Sequence, residues 1–159
     1  METTQKDIAE FARLGLRFRI LTLHSVVAWA DRLIEESDVP ETWVIDLAMA
    51  DSNTVEDVLR HVPGESQAGV AMQLFLAFLH RRWRSGTLTI EAVRHIGWTL
   101  HCESALPKPE RQADWGVKLE VECEEFDDGW RSEEQIRNSI DEKLAAYAED
   151  EQLLPLDMN

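Results

Sequence analysis

The sequence predicts a mainly α-helical protein, and three observations carry that prediction. Residues 67–84, QAGVAMQLFLAFLHRRWR, hold almost nothing polar in their first dozen positions except Gln73, so a helix there is apolar on every side and has to be covered on every side. Elsewhere apolar side chains recur at helical spacing in one segment after another. The longest stretch that alternates like a strand, residues 116–126, has a single candidate partner in the chain, the short alternating run of residues 16–21. The expected architecture is a single-domain bundle of six or seven helices around a central apolar helix, with room for one small two-stranded ribbon.

The elements follow in order. A first helix over 4–14 takes Thr3 or Thr4 as its N-cap, places Ile8, Phe11, Ala12 and Gly15 on one stripe, and stops at Gly15. The run LRFRIL after it is left irregular. From Leu23 the positions Val26, Val27, Ala30, Leu33 and Ile34 continue a second stripe, ended before Pro40. Proline suits a first helical turn, so Pro40 is expected to open a third helix carrying Trp43, Val44, Leu47 and Ala48. Ser52 and Asn53 break and recap the chain, and Val55, Val58, Leu59 and Val62 define a short helix that Pro63 and Gly64 end. The central helix follows; its apolar run stops well short of the roughly 20 residues that a bilayer requires, and Arg81, Arg82 and Arg84 close it. Thr87 or Thr89 caps the next helix, with Ile90, Val93, Ile96, Gly97 and Leu100 on its apolar face, and it runs to about Glu103.

Residues 104–114, with two prolines, describe a linker or long loop. In 116–126, Val117, Leu119, Val121 and Cys123 alternate with charged residues, which favours a strand with Glu120 and Glu122 facing Arg17 and Arg19. Trp115, Leu119, Cys123 and Phe126 equally fit a helix, and both readings stand. Ser132 with Gln135 makes a capping box for a last helix bearing Ile136, Ile140, Leu144 and Tyr147, and the tail from Glu149 is expected to fray. No repeat or second core is visible, so residues 1–159 are expected to form one domain, a helical core over 1–103 and an acidic subregion over 104–159.

The charge balance is the unusual quantity. With 16 basic and 31 acidic residues the net charge is −15. Residues 1–102 hold 10 basic and 14 acidic side chains and 103–159 hold 6 and 17, so −11 of the −15 lies in the last third. Such a chain repels phosphate backbones and anionic membranes, which argues against nucleic-acid or membrane partners and for a basic protein partner. Cys102 and Cys123 fit free thiols in a reducing compartment, and residues 1–11 carry neither a basic nor an apolar signal region, so a cytoplasmic location is expected.

No phosphate-binding loop, nucleophile elbow, zinc helix or calcium loop is present, and no cofactor is expected. One face of the helix after Gly86 gathers Glu91, His95, Trp98 and Cys102 opposite its apolar stripe, and Asp57 and His61 repeat the i, i+4 acid-to-histidine spacing. Together Asp57, His61, Glu91, His95 and Cys102 could bind a transition metal; as separate local pairs they would merely steady their own helices, which is the preferred reading. The six tryptophans are spread about one per element, as anchors between helices. The acidic segment 120–128 carries Glu120, Glu122, Glu124, Glu125, Asp127 and Asp128, with Phe126 within it and Trp115 and Trp130 on its flanks. It reads either as a solvated face or as a docking surface for a basic partner. The leading functional expectation is a non-enzymatic interaction module, of inhibitor or immunity type. The alternative is a metal-dependent or small-molecule enzyme on the Glu91/His95/Cys102 face, and a third reading is a structural subunit that forms a homo-oligomer.

Overall fold

The computed structural model describes residues 3–67, 69–103 and 115–155. Among them every regular element is a helix: α1 (Gln5–Arg17), α2 (Leu23–Glu35), α3 (Thr42–Ala48), α4 (Val55–Arg60), α5 (Val70–Arg84), α6 (Ile90–Cys102), α7 (Trp115–Asp127) and α8 (Glu133–Ala145), followed by a 3-10 helix, Ala148–Leu153. No strand occurs among the described residues, so the ribbon expected between 16–21 and 116–126 does not form. The expected linker over 104–114 lies outside the described residues. No described helix is long and apolar enough to cross a membrane. The chain divides into two compact units, the first holding residues up to Phe75 with those from Gln152 onward, the second Leu76–Glu151.

In the first unit α1 starts from a capping box: Thr4 accepts from the Asp7 backbone N–H, and Asp7 accepts from the Thr4 backbone N–H. Gly15 does not stop the helix. It lies inside the last turn because Leu21 folds back onto it, and a Cβ at Gly15 would sit 2.4 Å from Leu21 Cδ1. The reversal is made by Arg19, which takes a left-handed backbone (φ 57°). The Ile20 and Leu21 N–H groups both donate to Gly15 O. That hook is why the alternating LRFRIL run forms no strand: Leu16 and Arg17 finish α1, and residues 18–21 make the reversal.

Helix α2 is capped by Thr22, which accepts from Ser25 N–H, and packs on α3, where the Trp29 and Trp43 rings lie 5.9 Å apart. Pro40 precedes α3 instead of opening it; Glu41 is the N-cap and takes the Trp43 indole N–H. Ahead of α4, Asp51 Oδ1 accepts from Asn53 N–H, Thr54 N–H and the Thr54 hydroxyl, while Thr54 Oγ1 accepts from Asp51 N–H. These bonds, that from the Asn53 backbone foremost, hold the Asp51 carboxyl below its usual range. Helix α4 lies against α1, and Lys6 Nζ donates to Arg60 O at 2.6 Å, closing the C-terminus of α4.

The strongest polar tie of this unit is Asp7. Its carboxylate is fully buried, and besides the two groups of Thr4 it accepts from the Ser66 hydroxyl at 2.9 Å, Gln67 N–H at 2.7 Å and Gln67 Nε2 at 3.3 Å. Burial opposes the charge, but these donors outweigh it and hold the carboxyl below the usual range.

Along α5, residues Leu74, Phe75, Leu76, Ala77, Phe78 and Leu79 are all fully buried, as a helix apolar on every side requires. The helix ends at Arg84, where the Thr87 hydroxyl donates to Arg82 O. Within the second unit α6 packs on α7 and α7 on α8. The stripe expected on α6, Val93, Ile96, Gly97 and Leu100, is its buried face. Gly116 of α7 meets Gly97 there so closely that a Cβ on Gly116 would stand 2.1 Å from Gly97 O. Helix α8 begins with the expected Ser132–Gln135 capping box. It is tied to α5 by Trp83 Nε1 donating to Asp141 at 2.7 Å, with Arg137 over the Trp83 ring. The expected fraying from Glu149 does not occur over the described tail: His80, buried on α5, bonds Glu151 at 2.5 Å. In the first unit, Leu154 is buried.

Candidate protein-interaction surface

The acidic segment is a helix because its apolar residues have a dry surface to meet at helical spacing. Trp115, Gly116, Leu119 and Cys123 face inward along α7, whereas Val117 is half-buried and Val121 is exposed. A strand would put Val117, Leu119, Val121 and Cys123 on one face, leaving Trp115 and Gly116 on opposite faces; a helix gathers the residues that fit against α6.

Once α7 is helical, its carboxylates divide into two groups. Glu120 and Asp127, seven apart, lie on the side facing α6 and share one guanidinium. Arg94 Nε and Nη2 grip Glu120 side-on at 2.9 and 2.8 Å, and Arg94 Nη1 reaches Asp127 at 2.9 Å. Glu91, one turn before Arg94, stands 3.9 Å from the same nitrogen. The Arg94 hydrogen bond, outweighing partial burial, holds the Glu120 carboxyl below its usual range, and Arg94 is itself held more firmly protonated by that partner. Toward α8, Glu122 accepts from Lys143 Nζ at 2.8 Å and from the Ser139 hydroxyl. Burial opposes its ionisation, yet these donors keep its carboxyl below the usual range. Glu125 pairs with Arg131. Cys123, enclosed among these groups, has its thiol pushed up by burial.

Four carboxylates of the expected docking segment thus hold the second unit together. Replacing Arg94 with methionine keeps the packing of its stem but leaves Glu120 without its grip; a loss of about 2 kcal/mol is expected, read as a thermal midpoint lower by about 4 to 8 °C.

The second group points away. Glu124 and Asp128 are exposed, as is Glu134 at the start of α8. Between them the chain turns at Gly129 (φ 79°), with Trp130 N–H donating to Glu125 O at 2.7 Å. That turn throws Trp130 outward, where it is 82% exposed. Phe126 is half-buried, and Trp115 is buried and therefore an internal anchor instead of a contact residue. Trp29, Trp43 and Trp83 are likewise buried, while Trp98 is partly exposed and lies 5.6 Å from the His101 ring.

The residues of the metal alternative fall in the two units. In the first, His61 Nδ1 lies 2.8 Å from the Asp57 carbonyl oxygen and 3.5 Å from its carboxylate, both side chains mostly in solvent. In the second, Glu91, His95 and Cys102 run along the exposed side of α6, opposite the stripe that packs. Among the described residues no group of three or more His, Cys, Asp or Glu is placed to hold a metal ion. Both cysteines are free thiols, Cys102 exposed and Cys123 buried.

Sequence reasoning missed Arg94 as the hub of the acidic helix. The signal was present, since Arg94 is the only basic residue on α6 other than its histidines. Comparison with protein-family models, with curated proteins and with solved structures gave no match.

Proposed function

We propose that the chain is a non-enzymatic protein-interaction module, of inhibitor or immunity type, that engages a basic partner through the corner between α7 and α8. The observation that supports this reading is the exposure of Trp130 in the turn that joins α7, whose Glu124 is exposed, to α8, whose Glu134 is exposed, while the other carboxylates of α7 are already paired. An indole left in water forgoes burial that could otherwise contribute on the order of 2 kcal/mol. Set among unneutralised carboxylates, it offers a flat apolar and cation-binding face inside a negative field. Lysine or arginine side chains of a partner would stack on the ring while the acids steer the approach. The contact residues in this reading are Trp130, Glu124, Asp128 and Phe126, with Glu120, Glu122, Glu125 and Asp127 shaping the surface from within and Trp115 anchoring it.

Trp130→Ala is the decisive variant, because it touches little of the fold. Its unfolding free energy is expected to change by less than about 0.5 kcal/mol, while partner affinity falls about 30-fold or more. Pull-down from native lysate at low and at high salt, with wild type and variant side by side, reads both effects. Retention at low salt only, and only by the wild type, supports the assignment. Recovery of no partner, or of one indifferent to salt and to the variant, overturns it.

A further inference from the structure

In the first unit, three large apolar side chains stand in water close together along the chain. Val39 (84% exposed), Ile45 (41%) and Met49 (81%) are among the seven large apolar side chains exposed over the described residues. We infer that the outer face of α3, which carries the last two, docks a basic amphipathic helix of a partner protein. The inference concerns the first unit alone and does not rest on the reading of the corner between α7 and α8.

The packing of α3 is what leaves this face outside. Trp43, Val44 and Leu47 are its buried residues, and Trp43 lies against Trp29 of α2 while its indole N–H is held by Glu41. At about 100° per residue Trp43 and Leu47 fall opposite Ile45, so Glu41, Ile45 and Met49 run in line down the outer side, with Asp46 beside them. Met49 N–H donates to Ile45 O at 3.1 Å, which sets the two apolar residues one turn apart. Val39 precedes the Glu41 cap by two residues, at the N-terminal end of the helix. The α2 contact holds this face in place before any partner arrives, which spares the partner the cost of ordering it.

The surrounding charge gives the chemistry of the occupant. Residues 35–46 hold five acids, Glu35, Glu36, Asp38, Glu41 and Asp46, and no base; all five are exposed, and none is in an ion pair among the described residues. Residues 1–102 carry −4 in all, from 10 basic and 14 acidic side chains, so outside this stretch they sum to +1 and the negative field of that part is concentrated here. A second copy of the chain would bring five carboxylates against five, and an anionic membrane or a nucleic acid would be repelled as well. A helix with an apolar row flanked by lysine or arginine satisfies the apolar residues and the acids together. An extended peptide is the poorer occupant, because no strand among the described residues offers it an edge. Met49, unbranched and polarizable, suits contact with such a row.

Methyl-resolved NMR of the full chain, titrated with a synthetic leucine–lysine peptide of about 14 residues, four turns, with its leucines at i, i+3, i+4 and i+7, tests the inference. One control is a scrambled peptide of the same composition without an apolar face, and another has glutamate in place of lysine. The amphipathic peptide is expected to shift the methyls of Val39, Ile45 and Met49 saturably, with a Kd on the order of 10–100 μM at low salt. The scrambled peptide is expected to bind at least about tenfold more weakly and the glutamate peptide not at all. Met49→Gln and Ile45→Ser, both at exposed positions, should each weaken binding about fivefold or more with the circular dichroism unchanged, and Asp46→Asn should lessen its salt dependence. Trp130→Ala, in the second unit, should leave binding as it was. No saturable shift, equal affinity for the scrambled peptide, shifts confined to other methyls, or indifference to both Met49→Gln and Ile45→Ser would each overturn the inference. A loss of binding in Trp130→Ala would do so too, by placing the peptide at the corner between α7 and α8.

Discussion

Gly116→Ala is expected to lower the stability of the second unit by about 3 kcal/mol, although alanine is the better helix former by about 1 kcal/mol. Propensity loses because the added Cβ would stand 2.1 Å from Gly97 O and 2.7 Å from Gly97 C, atoms of a backbone inside α6 that cannot rotate aside. The helices must separate by roughly an ångström, which loosens Leu119 and Cys123 against α6 and lengthens the Arg94 grip on Glu120. Urea or thermal unfolding followed by circular dichroism checks this. A midpoint equal to or above that of the wild type would mean that α7 has room to shift.

The second large effect is expected from Asp7→Ala, a loss of about 3 kcal/mol. The substitution removes the shared acceptor of Thr4, Ser66 and Gln67, and with it half of the α1 capping box and the tie between the start of α1 and residues 66 and 67. Asp7→Asn should lose nearly as much, since an amide accepts through one oxygen only. The pH dependence has a definite sign. The carboxyl is held below its ordinary value of 3.8, so its contribution is fully present above that value and disappears as the pH falls through the folded value beneath it. The gap in stability between wild type and Asp7→Asn should therefore be constant at neutral pH and narrow below about pH 4. A gap that widens on acidification would contradict the assignment.

Most helices were legible because amphipathic spacing and caps are local. The Thr4, Thr89 and Ser132 caps and the stripes of α4, α6 and α8 need only residues a turn apart. What was not legible depended on partners distant in sequence. Gly15 reads as a stop signal, yet its role is to admit Leu21. Pro40 reads as an opening turn, yet Glu41 takes the cap. In residues 116–126 alternation and helical spacing were both present, and the decision came from Gly97, whose bare backbone accepts Gly116. The candidate surface was legible only as composition: the sequence located the acids but not which of them Arg94, Lys143 and Arg131 would consume. Asp7 carried a signal that went unused, the T-x-x-D spacing of a capping box, although nothing local announces its hold on residues 66 and 67.

The contact between Gly97 and Gly116 also has a geometric consequence. Only a position without a side chain fits opposite Gly97, so α7 is pinned in register: slid or turned by one residue, it would present Trp115 or Val117 there. The pin sets the azimuth of every residue on the helix, turning Glu120 and Asp127 toward Arg94 and Glu124 toward water. Which carboxylates the second unit shows to a partner is therefore decided by two missing methyl groups, at a point of the helix that carries no charge.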